Sequence, residues 1–472
     1  MIIGPRGLAD GSPQFRRMSN VNILTHPLGL DAWAAAALGR MQAPPGDFVQ
    51  RLDAGARIYR ADGVLDQLDA LWVTGSYSQY SARLNLVPWT GTVTNLLPNG
   101  EMVGAAAGAP GTMPTGWASV FMVGGITRQV VGVGTVNGMR YIDVRFSGTP
   151  ASASGIGIPL SSTNACPGVV GSRMTVSLYL ALIGGSLDGT TLTRVNYTEY
   201  NASNAAVATD YNVIPALSIA LTSTLTRVSG TRVLTGATAA FVVPALEIGH
   251  GTGAIDLTLR IGLPQLVRMD VPGNYIPTSG AAASQVQTLA RFDLAEMNNP
   301  TWAAWAPGAP GGFVGGGTTY LDTVADPSFD FTRASLNSAT YGAWVSSETI
   351  TPNSVLGATV SSIPVVPRSD VNTTYCRVHS NVSLTVPGAT TSLGLTVGNR
   401  SAANALQLYR NGASIGASAA ASSAMTTELW VGRNVGTYYP GQVSAAFAGA
   451  SMTAAQHLAL YRGLAAMLGA AS

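Results

Sequence analysis

The sequence predicts a mainly β protein with two antiparallel β-sandwiches, a short helical region near the N-terminus and a C-terminal helix. Short runs alternate apolar and polar residues, as in residues 140–146 and 174–180, which is typical of strands with one buried face. Clusters of Gly, Ser, Asn and Pro separate these runs. The strand spacing follows no fixed period, which argues against a solenoid or a propeller.

One sandwich pattern is interrupted by another. The pattern of residues 83–87 breaks off and resumes with residues 298–302 and 315–323, while the stretch between them reads as a self-contained β-domain. A chain of 472 residues is long enough for two or three domains. We predict four segments: an extended arm at 1–28, a helical lead at 29–94, an inserted β-domain at 95–285 and a C-terminal sandwich at 286–472.

Three local patterns predict helices. Residues 31–38 are rich in Ala and end before Gly39. A second stripe of residues recurs at helical spacing: Val64, Leu65, Leu68, Leu71 and Trp72. It predicts a helix that covers its own sheet or docks another subunit. Near the C-terminus, Thr453 and Gln456 match a capping box, which predicts the start of the last helix.

The composition excludes several functions. The formal net charge is +2 and all 25 basic residues are arginines, so we predict neither a nucleic-acid-binding surface nor a lysine-dependent phosphate loop. The mean hydropathy is +0.25, yet no run of 18 apolar residues occurs, so we predict no membrane insertion. No signal peptide is predicted. Charged residues make up only 10% of the chain, which favours a protein packed into a large assembly.

The cysteines and histidines show no metal-binding pattern. Cys166 and Cys376 lie in different predicted domains, which favours two separate buried thiols but leaves an interdomain disulfide open. The four histidines share no ligand spacing. We therefore predict no zinc site.

Carboxylates are few in the C-terminal half. Asp326 and Asp330 are the pair considered for glycoside hydrolysis, which needs two carboxylates at a set separation. Together with Asp322 they are also candidates for calcium ligands. Turn and cap roles are the favoured interpretation of these carboxylates, and we predict no catalytic residue and no cofactor, with calcium left open as an alternative. Residues 412–416 match a Gly-x-Ser-x-Gly motif but follow a hairpin turn, so we reject a nucleophile elbow there.

Glycan binding requires exposed aromatic rings beside polar groups. We predict three ligand-binding residues. One is Trp117, which follows Gly116; the other two are the consecutive Tyr438 and Tyr439, which lie in a Gly-flanked loop. Core packing or a subunit contact is the competing interpretation for the two tyrosines.

Short motifs in the C-terminal half suggest a family. Residues 406–412 form a strand pattern that ends in Asn-Gly, a turn signal; residues 429–432 form one that ends in Gly, and residues 439–443 precede the closing helix. These motifs resemble the laminin-G/concanavalin-like jelly-roll family. With residues 68–72 and 317–323, the chain is similar to a version common in tailed-phage virion proteins, where a helical lead precedes the sandwich.

The predicted insert carries a second resemblance. Its opening residues 95–100, its Gly116-Trp117 pair and its closing residues 273–280 resemble the carbohydrate-binding-module-like jelly rolls of phage tail fibres. Arg268 lies near the closing motif, where relatives often have an acidic residue. This difference leaves the ligand of the insert open.

The two resemblances imply a structural virion protein of a tailed phage or a gene-transfer-agent-like particle. They imply a tail-fibre, spike or tip component that binds a host-surface polysaccharide without turnover. Its expected partners are this glycan and other virion proteins, the latter through the arm. A homotrimer follows by analogy with fibres, and the expected location is the tail or the particle surface. Two alternatives stay open: an architectural head fibre or capsid decoration protein, and a polysaccharide depolymerase.

Overall fold

The computed structural model confirms the predicted fold class of two antiparallel β-sandwiches with short helices. It describes residues 30–41, 44–76, 78–215, 219, 221–304, 310–358, 363–425 and 428–470. The predicted arm at residues 1–28 lies outside this range. None of the helices described is long and apolar enough to cross a membrane.

Two sheets form the sandwich between residues 126 and 267. In the described chain, the five-stranded sheet has the order β3 (Ile126–Val136), β4 (Met139–Gly148), β11 (Ile255–Val267), β6 (Arg173–Gly185) and β9 (Thr226–Val233). The four-stranded sheet has the order β5 (Ser154–Pro159), β10 (Phe241–His250), β7 (Thr190–Tyr200) and β8 (Ala206–Ile214). All their pairings are antiparallel. In the first half of β11 every second residue from Ile255 to Ile261 is buried, as the alternation predicted, whereas residues 174–178 of β6 are buried on both faces.

Two larger sheets form the C-terminal sandwich of the described chain. The first has the order β14 (Thr301–Ala303), β15 (Gly312–Val314), β28 (Gln442–Gly449), β17 (Ala339–Val345), β22 (Gly394–Ala402), β23 (Ala405–Arg410) and β24 (Ala413–Ser418), and β1 (Leu68–Trp72) also pairs with β28. The second has the order β13 (Ala295–Met297), β16 (Tyr320–Asp322), β25 (Trp430–Val431), β18 (Leu356–Gly357), β19 (Val365–Val366), β20 (Thr373–Cys376) and β21 (Leu384–Pro387). β26 (Arg433–Asn434) and β27 (Thr437–Tyr438) form a separate short hairpin.

A two-stranded ribbon lies between the two sandwiches. β2 (Trp89–Asn95) pairs with β12 (Ala283–Leu289) from Trp89 opposite Leu289 to Asn95 opposite Ala283. The chain therefore leaves the C-terminal sandwich and returns to it at neighbouring points.

The described chain also contains five helices. They are α1 (Ala32–Leu38), α2 (Gly46–Ala61), α3 (Gln79–Ala82), α4 (Pro327–Asp330) and α5 (Ala454–Leu468). Asp31 caps α1, and the predicted capping box of Thr453 and Gln456 opens α5. The predicted helix over residues 64–72 is wrong, because Leu68–Trp72 is β1. Every residue of β1 is buried, so its sequence lacks the alternation of a half-exposed strand.

Three apolar clusters stabilise the molecule. One fills the sandwich of residues 126–267; a second lies between the two large sheets and reaches the ribbon; a third joins α1, α2 and α5 to the outer face of the first large sheet.

Cys166 and Cys376 are both free and buried, in separate clusters. Burial raises the pKa of each thiol to about 12, so neither is a reactive thiolate at neutral pH.

Candidate functional site

The outer face of the four-stranded sheet carries a row of side chains that belong to four separate segments. Phe121 exchanges two backbone hydrogen bonds of 2.9 Å with Gly157 of β5. Gly157 lies opposite Glu247 of β10, and Glu247 lies opposite Arg194 of β7. Directly opposed residues in antiparallel strands share one face. Because the flanking Ile156 and Ile248 are buried, this row points outward.

The centre of the row is a closed network of polar groups. Arg194 donates from Nε and Nη2 to the two carboxylate oxygens of Glu247, at 3.1 and 2.8 Å. Asn196 donates its side-chain amide to the same carboxylate at 2.7 Å. Gly155 leaves room for it, since a Cβ there would lie 3.1 Å from a Glu247 oxygen. A bidentate pair of this kind fixes the orientation of both side chains.

An exposed aromatic ring lies at each end of this network. Phe121 is 63% exposed and Tyr211, next to β7 on β8, is 51% exposed. The guanidinium carbon of Arg194 lies 4.7 Å from the centre of the Tyr211 ring, a cation–π contact that holds the ring in place. At about 4.8 Å per strand, Phe121 and Arg194 are roughly 14 Å apart across the sheet.

We call Phe121, Arg194, Asn196, Glu247 and Tyr211 the platform. Its rings offer apolar faces, and its network offers N–H donors and carboxylate lone pairs in fixed positions. A sugar chain has the matching groups, with C–H faces on its rings and hydroxyls at their edges. Its members extend across several neighbouring strands, which suits an extended polymer better than a small enclosed ligand.

The structure places the sequence-predicted aromatic residues elsewhere. Trp117 lies in the core of the insert, 8% exposed, and its Nε1 donates to the backbone oxygen of Asn99 at 3.3 Å. Trp117 therefore presents no exposed ring face, and the prediction of a sugar platform there is corrected. Its ring fills the sandwich interior instead.

The two predicted tyrosines also pack within the chain. Tyr439 is fully buried in the core between the large sheets, and burial raises its pKa to about 12. It therefore has no exposed face for a ligand, which corrects the prediction for this residue. Tyr438 is half-buried, with its ring centre 6.1 Å from that of Tyr320 and 5.7 Å from the guanidinium carbon of Arg433. This arrangement favours the packing interpretation.

The three aspartates considered for calcium have separate structural roles. The Asp322 carboxylate accepts from the amide of Val324 at 2.8 Å. Asp326 caps α4 by accepting from the amide of Ser328 at 3.0 Å. Asp330 is 5% exposed, accepts from the amide of Asp326 and pairs with the Arg291 guanidinium at 2.7 Å.

These contacts are those of turn, cap and ion-pair carboxylates. Over the described residues, no group of three His, Cys, Asp or Glu side chains is placed to hold a metal ion. Turn and cap contacts account for the carboxylates of Asp322 and Asp326, as the favoured interpretation stated. Burial raises the pKa of Asp330, although Arg291 opposes this shift.

Sequence reasoning missed the platform because its members lie up to 126 positions apart, from Phe121 to Glu247. One usable signal exists. Arg194, Asn196 and Thr198 alternate with buried Val195 and Tyr197, which marks the outer face of β7. Which residues stand beside that face depends on strand order, and no local pattern encodes it.

Comparisons with known proteins give structural similarity only. No family model and no curated protein sequence matches the chain. Similar solved structures include the CBM22-1 xylan-binding domain of Xyn10C from Paenibacillus barcinonensis, at 15% identity and a TM-score of 0.22 over 32% of this chain and 86% of that one. Domain 4 of AbnA, an extracellular arabinanase from Geobacillus stearothermophilus, in complex with arabinotriose, shares 15% identity at a TM-score of 0.27, over 36% of this chain and 87% of that one.

A phage protein is also among the similar structures. The enzymatically active domain of tailspike protein 4 of bacteriophage CBA120 shares 10% identity at a TM-score of 0.18, over 32% of this chain and 19% of that one. At these scores, none of the similarities identifies a ligand or a biological role for this chain. A proposal about the ligand therefore depends on the geometry of the platform.

Proposed function

We propose that this protein binds an extended polysaccharide on the platform and releases it unchanged. The observation that carries the proposal is the pair of exposed rings, Phe121 and Tyr211, on either side of the Glu247 network. The rings stack on sugar faces while the network exchanges hydrogen bonds with hydroxyls. The polar network and the Tyr211 ring are held in place before the ligand arrives, which lowers the entropic cost of binding.

Binding without turnover is supported by the state of the carboxylates singled out for hydrolysis. A general acid or base must be able to exchange a proton with the substrate. Asp330 is instead buried in a pair with Arg291, and Asp326 accepts from both the amide and the hydroxyl of Ser328. These contacts favour a structural role for both.

We place the protein on the virion of a tailed phage or gene-transfer-agent-like particle, as a fibre, spike or tip component. The sequence motifs support this location, and so does the low charge content of 10%. A shallow sugar site is weak alone, and several copies on one particle increase the apparent affinity through effective concentration. The proposal includes a homotrimer, attached through residues 1–28.

The platform is tested by removing both rings. We expect Phe121→Ala combined with Tyr211→Ala to weaken binding to a bacterial surface polysaccharide at least about tenfold, since two stacking contacts are lost. Affinity electrophoresis of the purified protein measures the change. Val286→Ala, at a side chain 67% exposed on the ribbon, is the matched control. Equal loss in the control, or no loss in the double variant, would contradict the proposal.

The virion role needs an experiment on particles. Deleting residues 95–285 from the virion protein should leave particles intact but reduce adsorption to host cells. If intact particles without this segment adsorb normally, the adhesive role fails and the architectural alternative gains support. New reducing ends released from host polysaccharide by the purified protein would show turnover and support the depolymerase alternative.

A further inference from the structure

A cavity lies where the insert meets the C-terminal sandwich. It has a volume of about 530 Å³ and is lined by the ribbon, by the loop around Val169 and by the segments that carry Arg268 and Phe329. We call it the junction cleft. Clefts between domains are frequent ligand sites, because two surfaces contribute groups to one space.

Arg268 is the unusual residue of the junction cleft. Its described lining residues include three charged side chains, those of Arg268, Arg291 and Asp330. Arg291 pairs with Asp270 at 2.6 Å and with Asp330 at 2.7 Å. Within the described chain, the Arg268 side chain forms no ion pair or hydrogen bond, and its Nε is buried without a partner. Arg268 is therefore the one charged lining residue of the described chain without a direct ion-pair partner.

An aromatic ring lies directly beside this charge. The guanidinium carbon of Arg268 is 3.9 Å from the centre of the Phe329 ring, and this ring is 46% exposed. Phe329 supplies an apolar face, and the guanidinium supplies a planar set of N–H donors that matches a carboxylate. Thr92 and Thr332 add hydroxyl groups to the lining.

Both walls of the cleft are fixed. Arg268 directly follows β11, and the backbone oxygen of Asp270 accepts from the Thr231 hydroxyl at 3.0 Å. Phe329 belongs to α4, which Asp326 caps. The Asp270–Arg291–Asp330 contacts join the two walls, with all three side chains at least 93% buried. The fold therefore fixes the position of Arg268 relative to Phe329.

The charges around the cleft indicate where an anionic group would lie. An adjoining cavity of about 430 Å³ shares Arg268 and Phe329 but also contains Asp326 and Glu428. Those carboxylates repel an anion. Asp330 is the one carboxylate among the described lining residues of the first cavity, and it is buried and bonded to Arg291, so the first cavity is the more favourable position for an anion.

We infer that the junction cleft is a second glycan site, specific for a carboxylated sugar. Arg268 binds the carboxylate, and Phe329 stacks on the face of the same sugar ring. The inference rests on the proposed function for the class of ligand, but it uses different residues from the platform. It makes the expected ligand an acidic polysaccharide.

The test compares an acidic ligand with its uncharged methyl ester. Isothermal titration of the full chain uses an oligogalacturonate and the same oligosaccharide with its carboxyl groups methyl-esterified. We expect the acidic form to bind at least about tenfold more tightly at low salt, since a charge-assisted hydrogen bond is lost on esterification. The preference should shrink as salt screens the charge.

Variants assign the preference to the cleft. Arg268→Gln should abolish the difference between the two ligands, and Arg268→Met, which keeps the stem against Phe329, should do the same. Phe329→Ala should weaken both ligands. Arg145→Gln removes an equal charge from an exposed pair with Asp256 and should keep the preference.

Two results would overturn the inference: equal affinity for the acidic and esterified ligands, or a preference that survives in both Arg268 variants. Failure of the platform is a separate result. If Phe121→Ala with Tyr211→Ala leaves binding unchanged while the Arg268 variants lose the preference, the platform is wrong and the cleft stands. The opposite pattern leaves the platform and removes the cleft.

Discussion

His457 lies on α5 with its ring stacked on Tyr409, at 3.9 Å between ring centres. The ring is buried, and neither of its nitrogens has a hydrogen-bond partner among the residues that the structure describes. Burial lowers its pKa from 6.5 to about 3, because the interior does not solvate an imidazolium. The folded protein therefore keeps His457 neutral at pH values where the unfolded chain protonates it.

This difference predicts acid sensitivity. Between pH 6.5 and about 3 the unfolded state binds one more proton at this position, so the free energy of unfolding falls by about 1.4 kcal/mol per pH unit as the pH decreases. His457→Phe should remove this contribution, which is about 2 kcal/mol between pH 6.5 and pH 5. Urea unfolding at both pH values measures it. An equal pH dependence in the variant would contradict the assignment.

At the scale of elements, α5 depends on its first turn. The Thr453 hydroxyl accepts from the amide of Gln456, and the Gln456 side chain accepts from the amide of Thr453. Thr453→Ala should lower the free energy of unfolding by about 1 kcal/mol, because it removes this cap. Thr453→Ser keeps the hydroxyl and should stay close to the original in thermal unfolding. If the serine and alanine variants are equally destabilised, the cap is not the cause.

At the scale of the molecule, the ribbon predicts that the insert can be removed. Asn95 and Ala283 are directly opposite in β2 and β12, so an Asn-Gly turn in place of residues 96–282 would convert the ribbon into a hairpin. The shortened chain should fold, but melt at a lower temperature, because Val267, Met269 and Ile276 leave the shared core. Circular dichroism during heating tests both points. An aggregated product without a cooperative transition would contradict them.

Local patterns predicted those parts of the fold that local forces determine. β4, β6 and β11 were predicted from their alternation of apolar and polar residues, although residues 174–178 of β6 are buried on both faces. The turn at Asn411 and Gly412, with positive φ values of 47° and 79°, was predicted because few other residues adopt that conformation readily. The capping box was predicted because its hydrogen bonds join residues three positions apart.

Other elements were missed for physical reasons. β1 was predicted as a helix, since a strand buried on both faces has no period of two. α2 was not predicted, and it contains Gly55, a residue that weakens a helix. Gly55 is explained by packing: a Cβ there would lie 2.8 Å from the backbone oxygen of Gly463 on α5. The close approach of the two helices, not helix propensity, accounts for this residue.

The sequence by itself determined the fold class, the turns and caps, and the scarcity of charged groups, because hydrophobic alternation and local hydrogen bonds act over a few residues. Only the tertiary structure decided where ligand-binding groups meet. Strand order brings Phe121, Arg194 and Glu247 onto one face, and the contact between the sandwiches brings Arg268 to Phe329. The sequence suggested Trp117 and Tyr439 as sugar-binding rings. Both lie in hydrophobic cores instead, because a large ring is stabilised most by full burial.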